Sequence, residues 1–269
     1  MSIINGPFNF SGKLGNMHCY FDPARGIWIL AGNGGAKKKV MDTLDSLEKA
    51  RAYAREFGGR SRWGSLLKQS LSGIRHLMFA CCWGEIMATG KLIQRRDETV
   101  PLGNRDVLVS KDPGVLTQID FNERHPFRSV LRDNYVIDFA SDKRTITLRI
   151  PGFIPANDAR WVTKYYAVRL YVVVAQIADM VWNPDTQMYE PVVPGLELLS
   201  RKVVSGWMFN NSIPQDVNLS VLLDDPAFSK PGIVVVVAVG VEFSLMAING
   251  EPSVTPHCGS MAIVKWYTE

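Results

Sequence analysis

The chain has 269 residues, is 46% hydrophobic and 21% charged, and carries a net charge of +4. That balance excludes a disordered polymer and gives enough apolar surface for one large domain or two modest ones. Four cysteines in so long a chain exclude a disulfide scaffold, and they read as small buried hydrophobes in a reducing compartment.

The first residues lack the charged start and apolar core of a signal peptide, so a cytoplasmic protein is expected, with leaderless export left open. Residues 5–16 are glycine-rich yet carry Phe8, Phe10 and Leu14, which reads as an extended arm with hydrophobic anchors. Segments 17–21 and 27–31 flank Asp22-Pro23-Ala24-Arg25-Gly26, and a proline early in a turn with a glycine closing it predicts a β-hairpin. Tyr20 and Trp28 stand in its two strands. A lone hairpin is marginal in water, so this one needs a surface to pack on.

Helical spacing begins near Val40, with Val40, Leu44, Leu47, Ala54 and Phe57 on one face and Gly58-Gly59 as the expected stop. A second helix is predicted over 62–78, with Trp63, Leu67, Ser70, Ile74 and Leu77 in one stripe. A third is predicted over 85–96, with Lys91, Arg95 and Arg96 near its C-terminal end.

From Val100 the punctuation changes to Pro101, Gly103, Asp112-Pro113-Gly114, His125-Pro126 and Pro151-Gly152. Strands are predicted at 106–110, 117–122, 135–140, 145–150, 167–180, 187–191, 202–209, 217–223, 233–245 and 261–267. In 145–150 Ile146, Leu148 and Ile150 share one face. The run 233–248 is valine-rich and contains Glu242, which favours a strand over a membrane helix. With no βαβ alternation, the expected class is α+β: an arm, hairpin and basic helices over 1–98, then a large antiparallel β-sandwich over 99–269.

Chemistry-bearing motifs are sparse. Gly32-Asn33-Gly34-Gly35-Ala36-Lys37-Lys38-Lys39 sits between a strand and a helix, as a phosphate loop would, but Val40 stands where serine or threonine is needed. The pairs His18-Cys19 and His257-Cys258 each offer one ligand at most, because strand neighbours point to opposite faces. No G-x-S-x-G or H-E-x-x-H occurs. Glu242 alternates with Gly240 and Ser244, which places it outward on a sheet edge. Trp161, Trp182, Trp207 and Trp266 read as core or interface, with a carbohydrate platform as the rival. No catalytic residue, metal or cofactor is inferred.

Charge is uneven. Up to residue 98 there are 15 Lys and Arg against 8 Asp and Glu, a balance of +7, and the remainder carries −3. Lys37, Lys38, Lys39, Arg51, Arg55, Arg62 and Lys68 are the candidates for contact with a polyanion such as nucleic acid. Solvated helix faces, or contacts with an acidic neighbour, are the competing explanation.

The stretch Asn5-Gly6-Pro7-Phe8, then Ser11-Gly12-Lys13-Leu14-Gly15-Asn16 and Tyr20, resembles a family of uncharacterised Bacteroidota proteins. Its members continue with a basic stretch and a segment like Arg55-Glu56-Phe57-Gly58 before Leu66-Leu67, and end in a β-rich half. The likeness covers the first third of the chain by motif. It implies a bacterial product made in the cytoplasm, and it transfers no functional residue. The turn Asp22-Pro23-Ala24-Arg25 and the run Cys81-Cys82-Trp83 depart from the family pattern.

The expected role is a non-enzymatic structural protein that assembles with copies of itself into a filament, tube or ring. Phe8, Phe10, Leu14, Tyr20 and Trp28 of the arm and hairpin would make the contacts. The rivals are a nucleic-acid-associated protein using the basic helices 37–68, and a sandwich that binds a partner or carbohydrate. No membrane span and no small-molecule substrate is expected.

Overall fold

The fold was described from a computed structural model, which describes residues 2–4, 11–23, 25–32, 38–79, 82–142, 144–223 and 231–268. The class is α+β, with all strand pairings antiparallel among the described residues. Contacts divide the chain into Met1–Tyr53 and Ala54–Glu269. The change of rhythm in the sequence suggested a division near 98 instead. The difference arises because the helical segments after 54 build the same core as the later strands.

In Met1–Tyr53, β1 (Ser2–Ile4), β2 (Gly12–Leu14), β3 (Met17–Asp22) and β4 (Ile27–Gly32) form one sheet in the order β1-β4-β3-β2. The expected hairpin is β3–β4, registered with Phe21 opposite Trp28. Its turn closes through the Gly26 amide donating to the Asp22 carbonyl at 2.8 Å, with Gly26 at φ 66°. A short helix, α1 (Lys38–Thr43), follows.

The division falls inside α2 (Glu48–Ser70), which runs straight through Gly58-Gly59. The expected stop there is therefore wrong. Gly59 serves close approach: a β-carbon would stand 2.7 Å from the Tyr189 ring. Trp63 and Leu67 are fully buried, one helical turn apart, and Ile74 and Leu77 of the following 3-10 turn continue the stripe. The third helix, α3 (Cys82–Arg95), buries Cys82, Ile86, Gly90 and Ile93. Gly64 lies against Ile86, and Gly90 against Trp63, so each helix supplies a glycine where the other's bulk arrives.

Two expected strands are absent. Segments 106–110 and 117–122 instead carry 3-10 turns at Val109–Lys111 and Pro113–Gln118, joined to the sheet system by an isolated bridge between Val107 and Met180. Pro113 opens the second of these turns, where its fixed φ and missing amide suit a helical start.

The remaining strands are β5 (Val136–Phe139), β6 (Thr145–Phe153), β7 (Ala167–Ala178), β8 (Met180–Asn183), β9 (Met188–Pro191), β10 (Arg201–Val204), β11 (Met208–Phe209), β12 (Gln215–Leu222), β13 (Ile233–Ser244), β14 (Ala247–Ile248), β15 (Glu251–Pro252) and β16 (Gly259–Tyr267). Most of them lie near the expected positions, but 167–180 breaks at Asp179 into β7 and β8, 202–209 splits into β10 and β11, and β14 and β15 are not among those expected. A large sheet runs β10-β7-β13-β16, with β11 also on β7, and a small one runs β12-β6-β5. On one face of the large sheet, Val168, Leu170, Val172, Val174, Val235 and Val237 join Ile146, Leu148 and Ile150 of the small sheet in one hydrophobic cluster. On the other face, Tyr171, Val173, Ala175, Val234 and Val236 join the helical residues Trp63, Leu67, Ile74 and Ile86. The large sheet is thus covered on both sides, by strands and by helices. This is why β7 and β13 are buried along nearly their whole length and read as mostly apolar runs, while β6 and β12 alternate. Each fully buried valine or isoleucine contributes about 1.5–3 kcal/mol. Among the described residues, no helix is long and apolar enough to cross a membrane.

Candidate functional site

Strand alternation sorts the N-terminal sheet into two unlike faces. Cross-strand partners share a face, so Leu14, Met17, Cys19, Phe21, Trp28 and Leu30 lie together, with no charged side chain among the described residues there. Phe21 and Trp28 are in ring contact at 5.4 Å. Leu14 is 60% exposed, Phe21 46% and Met17 42%. The opposite face carries Lys13, His18, Tyr20, Asp22, Ile27 and Ile29, and His18 stacks on Tyr20 at 5.5 Å. Leu14 and Trp28 therefore stand on the apolar face, while Tyr20, 37% exposed, stands on the mixed one. Phe8, Phe10 and Lys37 lie outside the described residues, as does the side chain of Lys38.

Four of the basic candidates, Arg51, Arg55, Arg62 and Lys68, are used inside the fold. Arg51 donates to the carbonyls of Met41 and Leu44, holding the start of α2 to the segment before it. Arg55 donates to the Gly103 carbonyl and lies over the Trp182 ring. Arg62 donates to the Tyr189 carbonyl at 2.7 Å, and Lys68 sits over Trp83. Lys39 is exposed. The four tryptophans likewise part company. Trp161 stacks on Phe243, Trp182 meets Tyr189 edge-on, Trp207 lies under Arg169, and Trp266 stands on β16.

No family model, curated protein or solved structure matches this chain. Its chemistry therefore has to be read from its own side chains.

Three of the buried acids of the larger unit, Glu242, Asp179 and Glu56, hold separate elements together, and the sequence singled out Glu242 alone, on the wrong side. Glu242 is 2% exposed, on the interior strand β13 rather than outward on an edge. It stands directly opposite Arg169, whose Nε donates to Oε2 at 2.6 Å. The Tyr171 hydroxyl donates to the same oxygen at 2.6 Å, and His76 Nε2 lies 3.4 Å from Oε1. Burial alone would raise this carboxyl, but His76, Tyr171 and Arg169 outweigh it and hold it at about 2. Arg169 in turn lies 4.3 Å from the Trp207 ring centre. The signal available in the sequence was one acid inside a valine run; its partners come from β7 and the 3-10 turn after α2.

Asp179, just past the end of β7, accepts from the Ser110 amide at 2.8 Å and hydroxyl at 2.5 Å, and burial pushes its carboxyl up. Glu56 takes Arg105 in a two-toothed grip at 2.7 and 2.8 Å and accepts from the Gly103 amide. Burial opposes ionisation of Glu56, but Arg105 and Gly103 prevail and lower its carboxyl.

These arrangements brace the fold. A carboxylate held near 2 is a poor proton carrier at neutral pH, and burial and then Glu242 push the Cys258 thiol up, away from the thiolate form a nucleophile needs.

Proposed function

We propose that this protein is a non-enzymatic structural protein that self-associates through its N-terminal sheet, building a filament, tube or ring. One observation carries the reading. Among the described residues, the buried hydrophobic clusters are built from residues of Ala54–Glu269 alone, while the N-terminal sheet presents an uncharged face with Leu14, Met17 and Phe21 exposed. A small sheet that buries little beyond Cys19 and Ile29 is marginal in water, and exposed apolar residues gathered on one face favour coverage by a partner. A head-to-tail contact, this face against the body of a neighbour, gives an open assembly or a ring depending on whether the rotation closes.

Light scattering after size exclusion, with negative-stain microscopy, tests this. The native chain is expected well above its 30.0 kDa subunit mass. Leu14→Glu with Phe21→Glu is expected to return it to that mass with its circular dichroism unchanged. A native chain that stays monomeric at tens of micromolar sinks the proposal.

A further inference from the structure

An apolar face that packs head to tail needs a receiving surface on the neighbour, and one end of the large sheet has the matching character. Tyr166 stands just before β7, Phe209 on β11 and Met246 just after β13. The Tyr166 and Phe209 rings meet edge-on at 5.5 Å. The Tyr166 amide donates to the Ser244 carbonyl at 2.7 Å, and the Asn210 amide donates to the Tyr166 carbonyl at 2.9 Å, so the three strand ends are tied together. Beyond Met246 the β14–β15 hairpin turns at Asn249-Gly250, and the Tyr166 hydroxyl donates to the Gly250 carbonyl.

Met246 is held firmly. Its carbonyl accepts from the Ser244 hydroxyl at 2.7 Å and from the Ser253 amide and hydroxyl at 3.2 and 3.1 Å. The side chains of Tyr166, Phe209, Met246 and Val254 are nonetheless exposed. Apolar groups fixed in place before contact lose little freedom when a partner covers them. Aromatic and methionine side chains with few charges among them are the composition of an interface centre.

Charge decides the occupant. Residues 203–215 contain no Asp, Glu, Lys or Arg, and residues 243–264 contain Glu251 alone. Phe57, Met188, Leu198 and Trp266, exposed elsewhere on the larger unit, stand beside charges. Phe57 lies under Arg60, Met188 stands between Asp185 and Glu190, Leu198 follows Glu197, and Trp266 follows Lys265. An apolar partner covering those positions would strip water from ions without pairing them. The face that carries Leu14, Met17, Phe21 and Trp28 is itself uncharged among the described residues, so it can meet the sheet end without stranding an ion. Met1–Tyr53 also holds 7 Lys and Arg against 4 Asp and Glu, a balance of +3 that suits Glu251.

We infer that Tyr166, Phe209 and Met246 form the receiver for the apolar N-terminal face of a second copy. The inference rests on the self-association reading and supplies its other half: each chain carries one face and one receiver, so the contact is heterologous.

Complementation between two variants of the full chain tests this. Phe209→Glu with Met246→Glu removes the receiver, and Leu14→Glu with Phe21→Glu removes the face. Each variant alone is expected at the 30.0 kDa subunit mass with native circular dichroism. A 1:1 mixture at tens of micromolar is expected to give a dimer of twice that mass and nothing larger, because one intact face and one intact receiver remain. Should the glutamate pair at 209 and 246 alter the circular dichroism, Phe209→Ser with Met246→Ser replaces it in the same mixture. A folded receiver variant that assembles like the native chain overturns the inference and leaves the N-terminal face standing. A mixture that stays monomeric overturns it as well, since each surface would then pair with its own kind. Assembly of the Leu14→Glu, Phe21→Glu variant by itself overturns the self-association reading, and the receiver with it.

Discussion

Replacing Glu242 with leucine is expected to destabilise the protein by about 3–5 kcal/mol, the usual result of removing one member of a buried ion pair. The carboxylate holds Arg169, Tyr171 and His76 together. Leucine fills the space but leaves the Tyr171 hydroxyl without its acceptor and Arg169 without its counter-charge. Glu242→Gln keeps the shape and one acceptor oxygen, so it is expected to lose less. Urea unfolding at neutral pH measures both.

The same group sets an acid limit. Its folded value is depressed from 4.5 to about 2, so its contribution is complete above 4.5 and is lost as pH falls through about 2. The difference corresponds to about 3 kcal/mol. Stability of the native chain is therefore expected to fall across that window more steeply than stability of Glu242→Gln. The groups facing the carboxylate are His76 from the turn after α2, Arg169 and Tyr171 from β7, and Cys258 just before β16. Parallel slopes for the two proteins would show that Glu242 does not titrate low.

The second large effect concerns two glycines that meet one leucine. A β-carbon at Gly240 would stand 2.5 Å from Leu77 Cδ1, and one at Gly259 would stand 2.5 Å from Leu77 Cδ2. At Gly259 the carbonyl oxygen of Val241 is also 2.5 Å away. Gly240→Ala therefore presses on the end of a side chain and is expected to cost about 1–3 kcal/mol. Gly259→Ala presses on backbone within the β13–β16 ladder, which cannot yield without losing pairing, and is expected to cost more.

Leu77→Ala, a cavity costing about 2–5 kcal/mol by itself, separates the cases. Combined with Gly240→Ala it is expected to cost less than the two changes added, by about 1–3 kcal/mol. Combined with Gly259→Ala it relieves only one of the two close approaches, so that variant stays the more damaged. Equal rescue of both would mean the Val241 carbonyl is not the barrier.

Several features were legible in the residues alone. The hairpin was visible because Asp22-Pro23 and Gly26 impose a local turn. Alternation in 145–150 marked a strand with one buried face, and the valine-rich composition of 233–245 marked a strand rather than a membrane helix. Turn chemistry and side-chain period are properties of neighbours in sequence, so they can be read without a partner. What covers the second face of β13, why α2 passes through Gly58-Gly59, and which groups hold Glu242 were decided by pairing across long separations. Gly59 answers to Tyr189, and Glu242 to Arg169 and His76. Close approach and charge pairing depend on distances in space, which local periodicity does not encode, and so these features came only with the tertiary structure.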